Sequence, residues 1–216
     1  MKNTKNILQV RNSITIGGVE TTLLGWLDHI DPERYDCPLA LFTEKDNLET
    51  AFKDVVSGHG HEIIDLPWHP GRKFRTAVSM LVDLIKTRDI HLLHTHDWRS
   101  DVVGYFAAKK TGIPIMTTIY VWFNRPFHIF IKEKIDAFVI RRFDLVTAVC
   151  EATRKQTVER GVPDNKTQVL LSGISDNRSP ETVDRQEIRD RFGIGKNDVA
   201  FVFVARFFPE KAHECL

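Results

Sequence analysis

Short runs that are apolar at almost every position alternate with amphipathic stretches along most of the chain. This alternation limits the possible folds more than any other feature. The runs Asn6–Val10, Pro38–Phe42, Glu62–Leu66, Ile90–Thr95, Gly112–Ile119 and Asp144–Val149 read as six strands. Between them, Val19–Ile30 places Leu23, Leu27 and Ile30 on one helical face, and Ala77–Thr87 does the same with Val78, Leu81, Val82 and Ile85. Further helices are expected over about Ser100–Lys110 and Arg125–Arg142. Strands without polar alternation need cover on both faces, and helices between successive strands provide it. The fold class that follows is α/β, a doubly wound parallel (Rossmann-like) sheet.

The pattern changes after Leu171. Ser172–Asp184 is rich in Ser, Asn, Asp and Pro and has no periodicity, as a linker would. A short helix is expected at Arg185–Ile194, closed by Gly193, and Val199–Ala205 reads as a fully buried strand. The expected organisation is therefore a first domain over 1–171, a linker over 172–184, and the start of a second domain over 185–216.

Composition narrows the function classes. The 216 residues are 42% hydrophobic, and 30 Lys and Arg against 29 Asp and Glu leave a net charge of +1. That balance gives no electrostatic footprint for nucleic acid. The basic start of the chain has an apolar run of only four residues before Arg11, too short for a secretory signal, and no stretch is long enough to span a bilayer. Cys37, Cys150 and Cys215 are odd in number and far apart, which reads as reduced thiols in a cytoplasmic protein.

In an open parallel sheet, ligands bind at the carboxyl ends of the strands, so candidate chemistry is sought there. After the first strand, Gly17-Gly18 opens a helix and could offer backbone N–H groups to an anion or a sugar hydroxyl; a plain turn is the alternative. The spacing lacks the third glycine of a dinucleotide fingerprint, which argues against NAD. After the fourth strand, His-Leu-Leu-His-Thr-His-Asp-Trp puts His94 and His96 on one face. It resembles the H-x-H-x-D-H run of dinuclear metal hydrolases, but Asp97 falls one place early, so one packed His and one site His are expected rather than a metal centre.

After the fifth strand, Thr118, Tyr120 and Trp122 would share a side, as a stacking surface for a sugar or as core. The next helix carries Phe127, Ile131, Ile135, Phe138 and Val139 on one face, with Lys132, Lys134, Arg141 and Arg142 around it. Packing on the sheet is the plain reading, and peripheral contact with anionic lipid is the sharper one. Glu151 opens the helix after the sixth strand, where a helix dipole favours an acid.

Five stretches in this order, Ile7–Leu24, Ile90–Thr118, Phe143–Pro163, Val169–Ser175 and Val204–Leu216, resemble glycosyltransferase family 4, enzymes of the GT-B fold with two Rossmann-like domains facing a cleft. The resemblance implies an acceptor-side N-terminal domain followed by the start of a donor-side domain. It also implies a retaining transferase that uses a nucleotide-diphosphate sugar, needs no metal or other cofactor, and acts on a glycan, lipid or small-molecule acceptor in the cytoplasm or at the inner membrane face. By the same resemblance Gly17 and Gly18 would approach the donor phosphates or the acceptor, and His96 would line the acceptor side. Arg206 and Lys211 would hold the diphosphate leaving group, with Tyr120 standing where the family has His. The family's Asn-Gly-Ile/Val-Asp reads Ser172-Gly173-Ile174-Ser175, and its Lys-Gly reads Lys211-Ala212. With the base-binding part of the donor domain not among these residues, the chain is expected to be inactive alone and to need a companion donor domain. The competing expectation is a non-catalytic carbohydrate- or partner-binding module on the same scaffold.

Overall fold

The computed structural model describes residues 4–12, 16–43, 51–67, 74–122, 127–173, 184–205, 207 and 211–215. The chain divides into two compact units, 1–175 and 176–216.

The first unit is built on parallel strands: β1 (Lys5–Arg11), β2 (Tyr35–Asp36), β3 (Leu39–Thr43), β4 (Ile63–Pro67), β5 (Leu92–Thr95), β6 (Ile115–Ile119), β7 (Leu145–Ala148) and β8 (Thr167–Val169). Their spatial order is β4-β3-β1-β5-β6-β7-β8, with β2 beside the start of β1. The helices are α1 (Gly18–His29), α2 (Ala51–Gly58), α3 (Phe74–Thr87), α4 (Trp98–Thr111), α5 (Phe127–Ile140) and α6 (Glu151–Glu159). The doubly wound parallel sheet expected from the sequence is what forms. The short strands β2 and β8 and the helix α2 are additions to that reading.

Chain order fixes where a ligand can sit. The chain runs outward from β1 through β3 to β4, then α3 carries it back so that β5 lies against the other edge of β1. Strand order reverses between β1 and β5, and the crevice of such a sheet opens at the carboxyl ends of these two strands.

Strand β3 shows why its sequence is apolar throughout. Leu39 and Leu41 pack with Leu23 and Leu27 of α1 and with Phe52 and Val56 of α2. Ala40 and Phe42, pointing the opposite way, join the larger core with Leu8, Val10, Ala77, Leu81, Val103, Ala107 and Ile140. Helix α4 begins with a capping box: Asp97 accepts from the backbone N–H of Arg99 (2.9 Å) and Ser100 (3.1 Å), and its end is closed by Gly112 at φ 78°. Gly104 lets α4 lie close on the sheet, since a Cβ there would stand 2.9 Å from Thr95 Cγ2.

Two expectations change. Helix α5 does not bury the face that its large apolar residues define. Asp136, Ala137, Val139 and Ile140 turn inward, while Ile131, Ile135 and Phe138 are 44%, 45% and 52% exposed. The inward side abuts α4, where small side chains fit and where Asp136 meets a buried partner. The side chain of Phe127 lies outside the described residues.

The second change lies in the second unit, which contains α7 (Arg185–Arg191), capped by Asp184 Oδ1 accepting from Gln186 N–H (2.7 Å). Val199–Ala205, expected as a buried strand, pairs with no strand among the described residues, and Phe201 and Val204 are 90% and 91% exposed. A strand is buried by its ladder neighbours, and the described chain supplies none here. Most of the expected linker, 174–183, lies outside the described residues. Among the described residues no helix is long and apolar enough to cross a membrane.

Candidate functional site

The carboxyl ends of β1, β5 and β6 bring together Gln9, Arg11, His94, His96, Thr118 and Tyr120. Their hydrogen bonds allow one assignment of protons. Gln9 Oε1 can only accept, so His96 Nε2 carries the hydrogen and donates to it (2.8 Å). Nδ1 of His96 then accepts from the Tyr120 hydroxyl (3.1 Å). A parallel chain fixes His94. The Thr147 hydroxyl donates to the Thr117 carbonyl (3.1 Å), the Thr118 hydroxyl donates to Thr147 (2.7 Å), and Thr118 Oγ1 accepts from His94 Nε2 (2.8 Å). His96 is therefore a neutral Nε2–H tautomer, and His94 carries a hydrogen on Nε2.

The electrostatics agree with this assignment. Burial pushes His94 down to about 3, and burial, with the nearby His94 and Arg11, holds His96 well below its ordinary value. Burial raises the Tyr120 phenol, assisted by Glu20 and opposed by Arg11, so it stays protonated. The rings form an aromatic stack. Trp26 of α1 lies over His94 at 5.9 Å with planes 17° apart, and His94 and His96 are 4.2 Å apart. Both histidines of the expected pair are packed, His94 6% and His96 3% exposed.

Arg11 is anchored rather than free. Its guanidinium donates to Glu20 Oε1 (2.7 Å from Nε) and to the His96 carbonyl (2.9 Å). Glu20 belongs to the first turn of α1, and Gly17 is the residue before that helix in extended backbone. A Cβ on Gly17 would stand 3.1 Å from Glu20 Oε2, whereas one on Gly18 would meet nothing within 4 Å. A side chain at Gly17 would therefore press on the Glu20 carboxylate that holds Arg11. Asp97 closes the rim, its Oδ2 accepting from Asn12 N–H (2.7 Å).

Beside this cluster lies a cavity of about 440 Å³, walled by Arg11, His96, Trp98, Tyr120, Lys132 and Asp136. Its floor holds a buried pair of acids, Asp101 of α4 and Asp136 of α5, 0% and 6% exposed. The Thr95 hydroxyl donates to Asp101 Oδ1, while Asp101 Oδ2 and Asp136 Oδ1 lack other partners. Burial pushes Asp101 up to about 7, with the Asp97 charge adding to it, and burial plus Asp101 raises Asp136 well above the carboxylate range. Two carboxyls so placed hold a proton between them. A second hollow, of about 470 Å³, opens on the other side of the histidines against Gln9, Trp26, His94, Met116 and Leu170.

Trp122 borders the same cavity as Tyr120. It is buried, its indole N–H donating to Thr157 Oγ1 of α6 (2.8 Å), with Arg160 over its ring. Glu151 stands beyond β7, mostly exposed, and pairs with Arg154 at 2.9 Å. Lys211 is exposed in the second unit, followed by Ala212 at φ 52°, and Arg206 lies outside the described residues. Gln9, Arg11, Glu20, Trp26, Asp101 and Asp136 were missed from sequence. The available signal was polarity in the wrong place, namely Gln9 and Arg11 alternating through an apolar strand and Asp101 before the apolar face of α4.

These elements make a doubly wound, Rossmann-like α/β domain with a crevice at the carboxyl ends of its central strands. The sequence profile of Glycosyltransferase Family 4 matches residues 16–178, and the chain belongs to that family. No curated protein matches the chain. Among solved structures, HepE of Anabaena in complex with UDP-glucose aligns with a TM-score of 0.70 at 21% identity, over 87% of this chain and 50% of that one. A glycosyltransferase from Rickettsia africae aligns with a TM-score of 0.70 at 17% identity, over 90% and 51%. The UDP-GlcNAc 2-epimerase of Neisseria meningitidis aligns with a TM-score of 0.56 at 14% identity, over 78% and 46%. The chain therefore spans about half the length of these structures, and at these identities the likeness concerns the fold.

Proposed function

We propose that this chain is the acceptor-side part of a retaining glycosyltransferase. In this reading the enzyme moves a hexose from a nucleotide-diphosphate sugar to a sugar-containing or lipid acceptor, with no metal. The observation that carries the proposal is the cavity beside His96 and Tyr120. Aromatic walls suit the apolar face of a sugar ring, and the shared-proton acid pair can both donate to and accept from hydroxyls. His96 and Tyr120 orient the acceptor from the neighbouring wall, Tyr120 as a hydrogen-bond donor and not a base, since its phenol remains protonated. The Gly17–Gly18 helix start is assigned to the donor phosphates or the acceptor, because it offers first-turn N–H groups with no side-chain cap. Arg206 and Lys211 are assigned to the leaving diphosphate, where two cations would stabilise the charge released by bond cleavage. Glu151 is a weaker substrate contact in this scheme, because its carboxylate already has Arg154.

The proposed division of labour makes the chain alone unable to turn over. It is to be mixed with UDP- and GDP-sugars and a panel of glycan acceptors, with and without the donor-side half of a related enzyme. Transfer only in the presence of that half supports the proposal, and transfer by the chain alone overturns the division. A non-catalytic carbohydrate-binding module is the second reading, favoured by Tyr120 standing where the family has His and by the full engagement of His96. Acceptor binding that persists without transfer, even with the donor half present, would select it.

A further inference from the structure

Gln9 is a polar side chain in the middle of an apolar strand. Its neighbours Leu8 and Val10 are fully buried, and Gln9 itself is 5% exposed. In the sheet it lies between Leu39 of β3 and His94 of β5. An amide is stable in such a place when its polar atoms find partners. Gln9 hydrogen-bonds Cys37, and its Oε1 accepts from His96 Nε2–H at 2.8 Å.

Other groups place His96 without choosing its tautomer. Its backbone N–H donates to Ser100 Oγ (3.2 Å), and its carbonyl accepts from Arg11 (2.9 Å). Its ring packs against Trp26 and His94, with centroids 6.0 and 4.2 Å away. These contacts hold the ring in position whichever nitrogen carries the hydrogen. The Tyr120 hydroxyl is equally indifferent, since it can donate to a lone pair or accept from an N–H. Gln9 Oε1 has no hydrogen to give, so it decides the matter.

On the acceptor-side reading above, we propose that Gln9 is a positioning residue for the acceptor. It keeps the His96 hydrogen on Nε2, and an acceptor hydroxyl enters the His96–Tyr120 pair in one direction, donating to Nδ1 and accepting from the phenol O–H. The pair lines the cavity of about 440 Å³, and its separation of 3.1 Å is long for an O–H donor. A hydroxyl has one hydrogen and two lone pairs, so it satisfies both groups at once. The Nδ1–H tautomer would reverse the order, with the hydroxyl accepting from His96 and donating to Tyr120. One amide in β1 thereby sets the orientation of a hydroxyl that it never touches.

The test is nitrogen-15 NMR of the full chain, with the methyl glycosides of glucose, galactose, mannose and N-acetylglucosamine as probes. Wild-type His96 should show a protonated Nε2 and a bare Nδ1, and a bound glycoside should shift Nδ1 and the Tyr120 ring along one saturation curve. Gln9→Met removes the Nε2 partner and should let the Nδ1–H tautomer appear. Glycoside affinity should then fall in proportion to the Nε2–H fraction that remains, a relation that simple loss of packing would not produce. Tyr120→Phe leaves Gln9 in place, so His96 should stay Nε2–H while glycoside binding weakens; this variant carries the test if circular dichroism shows Gln9→Met to be unfolded. An unchanged tautomer in Gln9→Met, an Nδ1–H signal in Tyr120→Phe, or a shifted tautomer with unchanged affinity would each overturn the proposal. So would a wild-type His96 that no glycoside moves, and the acceptor-side reading would then stand or fall separately on the transfer assay with the donor-side half.

Discussion

Replacing Asp101 by asparagine tests the reading of the cavity floor. The folded protein holds a proton on Asp101 up to a pH of about 7, whereas an unfolded aspartate loses it near 3.8. Unfolding between those values therefore releases a proton, so this group's contribution to stability is full below about pH 4 and is lost as pH rises to about 7. At about 1.4 kcal/mol per tenfold change in proton affinity, the loss from pH 5 to pH 8 is about 3 kcal/mol. The introduced amide imitates the protonated acid. Its oxygen can still accept from Thr95, and its N–H can donate to the open Asp136 oxygen. Asp101→Asn has no proton to lose at this position and removes a charge that raises Asp136, so relative to wild type it should gain at least about 3 kcal/mol between pH 5 and pH 8. His94 and His96 titrate in the opposite sense: their folded values are depressed, and stability is lost as pH falls below about 6.5. They act equally in both proteins and cancel in the difference. Urea unfolding at the two pH values reads it as about 1.5 M in relative midpoint, for a slope near 2 kcal/mol/M. Wild-type and variant stabilities that run parallel in pH would refute the shared proton.

Other perturbations follow from the same geometry. Nitrogen-15 NMR should show His94 and His96 as neutral Nε2–H imidazoles at pH 5.5, and an imidazolium signal from either would contradict the assigned network. Glu20→Ala strands the Arg11 guanidinium among buried neighbours and should cost about 3–5 kcal/mol in urea unfolding. The double change Arg11→Met with Glu20→Leu should cost less than half of that, and equal losses would mean that the charge is irrelevant. Gly104→Ala pushes a methyl onto Thr95, Leu93 and Ile115 and should cost about 1–3 kcal/mol, with no loss falsifying the close helix–sheet approach.

The parallel sheet was legible because burial on both faces writes itself as unbroken apolar runs, as in Leu39–Thr43. The strand ends were legible too, since polar residues such as His96 and Tyr120 break those runs where the crevice lies. What pattern alone misplaces is a polar residue stabilised by a distant partner. Helix α5 offers two stripes to the core. The one chosen from hydrophobicity loses to Ala137, Val139 and Ile140, which join the core beside α4 and carry Asp136 inward next to Asp101. Strand β8 (Thr167–Val169) has three residues, too few for a period, and exists because the edge of β7 is there to pair with it. Val199–Ala205 makes the complementary point: its composition asks for a ladder, and with no partner strand among the described residues it is exposed.

The charge state of the crevice has a consequence for the proposed reaction. His94, His96 and Tyr120 are neutral, Asp101 and Asp136 hold a proton between them, and Arg11 is compensated by Glu20 at 2.6 Å. Such a surface binds hydroxyls through directional hydrogen bonds, and with Lys132 in its wall beside the acid pair it lacks the concentrated positive charge that a diphosphate needs. In the proposed enzyme the two substrates are then divided between two chemistries. Hydroxyl recognition falls to the first unit, and phosphate recognition falls to Arg206, Lys211 and the helix start at Gly17–Gly18. The division predicts opposite salt dependences, since acceptor binding measured on this chain should be nearly insensitive to ionic strength while donor binding to a complete two-domain form should weaken steeply. Acceptor affinity that falls with salt as fast as donor affinity would show that charge, rather than directional hydrogen bonds, holds the acceptor, contrary to the division of the two substrates.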